Sequence, residues 1–285
     1  MSAAIGGVRA RVQPPPIAAL MTGLEGFFMA IGDYIRNTQV WKSIFRHPAP
    51  RDRRNRIVVM LTNVFLHLHP VSVRKSGIEL SYTWCMGGIT FFLFLVETVT
   101  GVLLMFYYRP TLEHAYNDIL SLRDVTTLGI LRELHRWGAH AMVITIWLHM
   151  YRVFLTGSYK PPREFNWGVG VILLVLTLLL SFTGYLLPWD QLAIWAITVG
   201  SNMARATPLM GYEGPGSKIL VIGGVELIHS GSDARFLLLG GRFVGETTLL
   251  RFYVLHCVAL PLAAALLIAV HFWRVRKDGG ISGAL

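Results

Sequence analysis

Four histidines fall at two similar intervals inside apolar, helix-length stretches: His135 and His149 are 14 residues apart, and His256 and His271 are 15 apart. An imidazole is costly in hydrocarbon, so paired histidines at such depth need partners that offset their desolvation. At about 1.5 Å per residue, the members of each pair lie roughly 21 to 23 Å apart along a helix. At about 100° per residue, both members fall within roughly 60° of one helix face. Two such helices, parallel or antiparallel, can clamp two metal macrocycles one above the other, with an imidazole on each axial side. That is a route for electrons across a membrane.

Glycines repeat the interval in two further apolar stretches: Gly87 and Gly101 are 14 apart, as are Gly170 and Gly184. Glycine removes a side chain where a flat macrocycle must approach the backbone, here at the two levels set by the histidines. Taken singly, each glycine is better explained by close packing of membrane helices; the shared interval favours the macrocycle. Arg132 and Arg136 beside His135, Arg152 beyond His149 and Arg276 beyond His271 suit propionate carboxylates. Arginines flanking membrane helices also serve as anchors, and both roles fit Arg152.

The elements that must position these residues follow from composition. A net charge of +10, a mean hydropathy of +0.51 and only 15% charged residues describe a membrane protein better than a soluble one. Nucleic-acid binding, the usual reading of a basic chain, is excluded by where the charges lie. Residues 1 to 76 carry eleven Lys or Arg against three acids, which marks the cytoplasmic side. Four segments are apolar enough to span: about Cys85 to Tyr107, His135 to Leu155, Gly168 to Leu187, and Phe252 to Trp273. An even count returns the C-terminus to the cytoplasm, in accord with Arg152, Lys160 and Arg163 after the second span and Arg274, Arg276 and Lys277 after the fourth. On the opposite side, the loop from Asp190 to Arg251 is long and glycine-rich and has room for short surface helices.

Before the first span, apolar residues from Ile17 to Ile35 and from Ile57 to Leu68 repeat at helical spacing. Both stretches are expected to be amphipathic helices on the cytoplasmic membrane surface, joined by a basic linker suited to lipid headgroups. Docking of the same faces on a partner subunit is the equal alternative. Two cysteines outside any CxxC or CxxCH arrangement give no disulfide framework, zinc site or ordinary c-type haem attachment. A cleaved signal peptide is not expected, because residues at the start do not form a continuous apolar h-region with a small-residue cleavage site.

The stretches CMGGITFFLFLVETVTGVLLMFYYRP (85 to 110), LHRWGAHAMVITIWLHMYRVFLTGSYKPPREFNW (134 to 167), TGYLLPWDQLAIWA (183 to 196) and TLLRFYVLHCVALPL (248 to 262), with the terminal GISGAL, resemble the cytochrome b6 branch of the cytochrome b family. The resemblance covers roughly the last two thirds of the chain, and the 14 and 15 histidine intervals match that branch. It implies an all-α integral membrane fold, a four-transmembrane-helix bundle binding two stacked b haems, with residues 77 to 285 as the haem-binding domain and 1 to 76 as the extension. By this likeness His135 and His256 ligate one haem on the outer side, and His149 and His271 ligate another on the cytoplasmic side. Cys85 matches the cysteine that holds a third, c-type haem by one thioether bond. Tyr185, Pro188, Trp189, Asp190 and Gln191 match a wall of the quinol site.

The implied activity is that of a quinol:cytochrome c or similar oxidoreductase running a Q-cycle. The implied partners are a Rieske iron–sulfur protein, a subunit IV-like C-terminal cytochrome b protein and a cytochrome c-type subunit. They would form a dimeric complex in the bacterial cytoplasmic membrane, with lipid around it and both termini of this chain cytoplasmic. The PEWY motif of family members is absent, as in split forms that carry it on a separate subunit. Glu97 stands where the family usually has glutamine; a protonated carboxyl satisfied by a hydrogen bond is the favoured expectation, a functional ionisable group near the outer haem the alternative. Cys257 is expected to pack, and His140 to lie outside the paired set. The rival redox class is the dihaem membrane anchor of a dehydrogenase or hydrogenase, against which PWDQ and GISGAL argue. A nonredox membrane scaffold is the third reading.

Overall fold

The computed structural model describes residues 16–44, 50–64, 66–70 and 72–282. The chain divides into two compact units, Met1–Leu61 and Thr62–Leu285. The first contains α1 (Pro16–Asn37), α2 (Gln39–Ile44) and most of α3 (Arg53–Thr62). Phe27, Phe28 and Met29 on α1 are exposed, as an amphipathic helix without a packed partner requires. The second expected helix is shorter than its apolar pattern: α3 stops at Thr62, and a 3-10 turn follows at Leu66–Leu68. Asn63 explains the break, because its side-chain oxygen accepts the Leu66 N–H at 3.0 Å and competes with helix continuation. His47 and Phe65 lie outside the described residues.

The second unit runs α4 (Leu80–Thr83), α5 (Met86–Met105), α6 (Ala115–Asp124), α7 (Thr126–Leu155), α8 (Glu164–Leu186), α9 (Gln191–Arg205) and α10 (Gly216–Ile219). A small hairpin, β1 (Val221–Ile222) with β2 (Val225–Glu226), precedes α11 (Ala234–Leu239), α12 (Glu246–Val254) and α13 (Leu260–Lys277). Among the described residues, three helices are long and apolar enough to cross a membrane: Met86–Met105, Glu164–Leu186 and the continuous Glu246–Lys277. Phe92, Val99 and Leu266 on them are more than half exposed, so these surfaces need a nonaqueous surrounding. The expected second span lies in α7, which is 30 residues long. Its three histidines and Arg132, Arg136 and Arg152 dilute its apolar character, so composition alone does not mark it as a span. It also begins nine residues before His135, where a loop was expected.

The helix carrying His256 and His271 is continuous but not uniform. Leu255–Ala259 form a π turn in which the Leu260 N–H reaches the Leu255 carbonyl. Pro261 supplies the cause: it has no N–H for the Cys257 carbonyl, and its ring crowds that carbonyl. The π turn inserts one residue, so the 15-residue interval here spans the same rise, about four turns, as the 14-residue interval of α7.

Buried packing concentrates at one end of the long helices. Leu186, Ala193, Ile197, Leu239 and Phe252 form one cluster, and Tyr108, Ala115 and Leu249 another. The Tyr108 hydroxyl donates to the Leu187 carbonyl at 2.6 Å, joining the ends of α5 and α8. Burial pushes that phenol up, so it remains a donor at neutral pH. Asp118 of α6 accepts from the Arg109 backbone N–H at 2.9 Å and from its guanidinium at 2.6 and 3.0 Å. These charged hydrogen bonds hold the Asp118 carboxyl below the ordinary carboxylate range, against the opposing effect of burial.

A depressed folded pKa contributes stability that is fully present above the unfolded-state pKa and is lost as pH falls through the folded value. Asp118→Asn is therefore expected to lower the thermal midpoint at neutral pH, with the gap to the parent narrowing as pH falls below the usual carboxylate pKa. Thermal unfolding in detergent across that range measures it, and a gap independent of pH contradicts the assignment.

Candidate functional site

The four histidines meet as two crossed pairs. His135 and His256 have ring centroids 6.2 Å apart with planes at 88°, and His149 and His271 have centroids 6.5 Å apart with planes at 81°. Each pair joins α7 to the α12–α13 helix, so the two run parallel. Close backbone packing runs elsewhere: α5 lies against α7, and α8 against α13. The histidine helices thus face one another chiefly through their rings.

The glycines supply the other half of each packed contact. A Cβ on Gly101 would meet His135 Cε1 at 3.2 Å, and one on Gly87 would meet His149 Cε1 at 3.1 Å. A Cβ on Gly184 would meet His256 Cε1 at 2.6 Å, and one on Gly170 would meet His271 Cε1 at 3.8 Å. Each glycine lies level with one of the four histidines. What approaches them is the edge of an imidazole, which stands upright only because the facing helix has no side chain there.

Two threonines complete the His135–His256 pair. The Thr100 hydroxyl donates to the Val96 carbonyl at 2.7 Å, so at 2.8 Å from His135 Nδ1 it must accept. His256 Nδ1 lies 3.1 Å from the Leu180 carbonyl, which can only accept, and 3.2 Å from Thr183 Oγ1, whose proton goes to the Leu179 carbonyl. Both Nδ1 atoms therefore carry the proton, and both Nε2 lone pairs remain for a metal. Sequence reasoning missed these threonines. The signal was a Thr-Gly dipeptide repeated at 100–101 and 183–184; at the other level, Met86 and Val169 precede the glycines.

These features fit a metal macrocycle. Two imidazole nitrogens each about 2 Å from a metal put the ring centres about 6 Å apart, close to the spacing of both pairs. Among the described residues no three His, Cys, Asp or Glu side chains gather as a metal site.

The arginines are less simply placed. Arg132 and Arg136 both pair with Glu133, at 2.5 and 3.1 Å, instead of standing free near His135. Arg152 stacks over the Tyr82 ring at 4.2 Å and donates to the Tyr82 carbonyl at 3.2 Å, while its Nη2 is buried without a hydrogen bond. Arg276 donates to the His67 carbonyl. Arg152 is therefore the one with a buried donor in reserve. Cys85 is exposed, in the left-handed region after Trp84 in the same conformation, and caps the start of α5 two residues before Gly87. Glu97 is only half satisfied: Oε2 lies 3.0 Å from His135 Nδ1, and Oε1 is buried without a partner. His140 keeps out of the pairs, its Nδ1 2.7 Å from the Arg136 carbonyl.

At the other candidate site, Trp189, Asp190 and Gln191 line a surface hollow with Tyr116 and Leu192. Tyr185 and Pro188 are not on its wall. Asp190 also caps α9, its carboxylate accepting the Ala193 N–H at 2.8 Å. That cap, after Trp189 in the left-handed region, fixes the turn.

The family model Cytochrome b/b6/petB matches residues 71–279. Cytochrome b6 of Gracilaria tenuistipitata var. liui is 42% identical over 203 residues, which cover 71% of this chain and 85% of the relative. Cytochrome b6 of Prochlorococcus marinus is 41% identical over 203 residues, 71% of this chain and 84% of the relative. In fold, the chain is similar to a chain of a solved hyperthermophilic respiratory Complex III, with a TM-score of 0.62 and 24% identity. The match covers 88% of this chain, which spans 56% of that one.

The glycine contacts predict a ranking. Gly184→Ala drives a methyl into a ring already held at Nδ1, Gly87→Ala and Gly101→Ala crowd their rings less, and Gly170→Ala makes an ordinary contact. Overpacking of this kind costs about 1 to 3 kcal/mol. Thermal midpoints of the four variants should fall in that order, Gly184→Ala lowest; a greater loss for Gly170→Ala than for Gly184→Ala refutes the packing.

Proposed function

Because the chain belongs to the cytochrome b/b6 family, we propose that it is the haem-binding cytochrome b subunit of a quinol oxidoreductase complex, carrying electrons between a quinol-oxidising and a quinone-reducing site. The observation that supports this most is the pair of crossed imidazole contacts, each backed by glycine. His135 with His256 and His149 with His271 hold two b haems, and α5, α7, α8 and α12–α13 form the four-helix membrane bundle. When bound, the haems supply one-electron redox chemistry at two depths in the membrane.

The chain's own residues do the rest. Thr100, Thr183 and the Leu180 carbonyl keep the outer imidazoles in the tautomer that offers Nε2. Gly87, Gly101, Gly170 and Gly184 let the rings stand between helices. Arg152, with one buried N–H to spare, serves a carboxylate at the inner level. Trp189, Asp190 and Gln191 present the quinol-side surface, where the Asp190 cap holds the turn. Cys85, exposed at the start of α5 and one short step from the Gly87–His149 contact, is placed for thioether attachment of a third haem beside the quinone-reducing site.

The complex runs a Q-cycle with a Rieske protein, a subunit IV-like partner and a cytochrome c-type subunit, as a dimer in a bacterial cytoplasmic membrane. Residues 1 to 76 form its basic, cytoplasmic-side extension, and both termini face the cytoplasm.

The pairing is tested by redox titration of histidine variants in the membrane-bound complex. His149→Ala and His271→Ala are expected to remove the same b component, and His135→Ala and His256→Ala the other. Depletion of different components by His149→Ala and His271→Ala overturns the assignment. For Cys85, haem-dependent peroxidase staining on a denaturing gel should be positive and should vanish in Cys85→Ser, because a thioether survives denaturation and axial coordination does not. Persistent staining in that variant rules out attachment there.

A further inference from the structure

Glu97 is the acid within the apolar run of α5, on the same face as Thr100 and Gly101 by helical spacing. Its Oε2 lies 3.0 Å from His135 Nδ1, the nitrogen that Thr100 Oγ1 also approaches at 2.8 Å. Since the Thr100 proton is committed to the Val96 carbonyl, the Thr100 oxygen accepts the Nδ1–H, and the Glu97 carboxyl stands beside the same nitrogen in ion-pair contact. The carboxyl is seated by shape. Oε1 occupies the space that a Cβ on Gly138 would take, and Gly138 is a buried α7 residue three places after His135. Thus a glycine on the histidine helix admits the acid from α5.

Among the described residues, no carboxyl stands in ion-pair contact with the other three paired histidines. His256 has a hydroxyl and a carbonyl at its Nδ1, both neutral acceptors. Negative charge held beside an axial imidazole favours the more positive, oxidised metal. We propose that Glu97 is a positioning residue that lowers the reduction potential of the outer centre through His135, with Gly138 as the notch that holds it in place. This rests on the assignment of His135 and His256 as axial ligands.

The test is an equilibrium redox titration of both b components in the membrane-bound complex of Glu97→Gln and Gly138→Ala, alongside the parent. Glu97→Gln keeps the shape and removes the charge; Gly138→Ala keeps the charge and displaces the carboxyl. Both should make the outer component easier to reduce, by about tenfold in its one-electron equilibrium, or about 59 mV, leaving the inner component unchanged. An unchanged outer midpoint in Glu97→Gln with full haem content overturns the proposal. Equal shifts of both components, or loss of the outer component from that isosteric variant, also overturn it, the last in favour of a purely structural role. A parent complex without two b components defeats the ligand assignment itself, a separate result.

Discussion

Everything in the second unit depends on four imidazoles being kept upright between helices that carry nothing to crowd them. An imidazole desolvated in a membrane helix is tolerable only if its ring is packed, its N–H is used and its lone pair has somewhere to go. The fold meets the first demand with glycine on the neighbouring helix at all four positions. It meets the second at the His135–His256 level with threonine hydroxyls and a carbonyl. The third is left to the cofactor, and this is why α7 and α13 pack on their glycine helices while meeting one another through the ring pairs.

The two levels differ in construction. The His135–His256 level lies at the end where a hydrophobic core is built from α9, α11, α12 and the ends of α5 and α8. The His149–His271 level lies at the end stitched by hydroxyls and long-range backbone contacts: Tyr82 and Ser158 both reach Ser282, and Arg163 donates to the Gly280 carbonyl at 3.5 Å. The C-terminal segment is thereby tied to the loop after α7 and to the approach to α5.

The paired intervals in the sequence carried the essential geometry, because helical periodicity is local and the histidines and glycines obey it. Three things were not legible there. The 15-residue interval matches 14 only through the π turn, which Pro261 imposes on the preceding turn from three-dimensional helix geometry. The ion pairs of Arg132 and Arg136 with Glu133 depend on side-chain placement that proximity in sequence does not fix. And α7 was cut short because its first turns are polar; a helix whose partners cover its polar face need not look like a span. The Thr-Gly dipeptides were readable in principle, since a hydroxyl one residue before a glycine shares its level on the helix.

The central claim is that two crossed histidine pairs each hold a haem iron. Electron paramagnetic resonance of the fully oxidised complex addresses it most directly, because two imidazoles on one ferric iron give a low-spin centre and crossed ligand planes make its signal strongly anisotropic. The account predicts two strongly anisotropic low-spin b-type signals, one from each level. High-spin iron at either level of the intact complex, or a single low-spin centre, contradicts it.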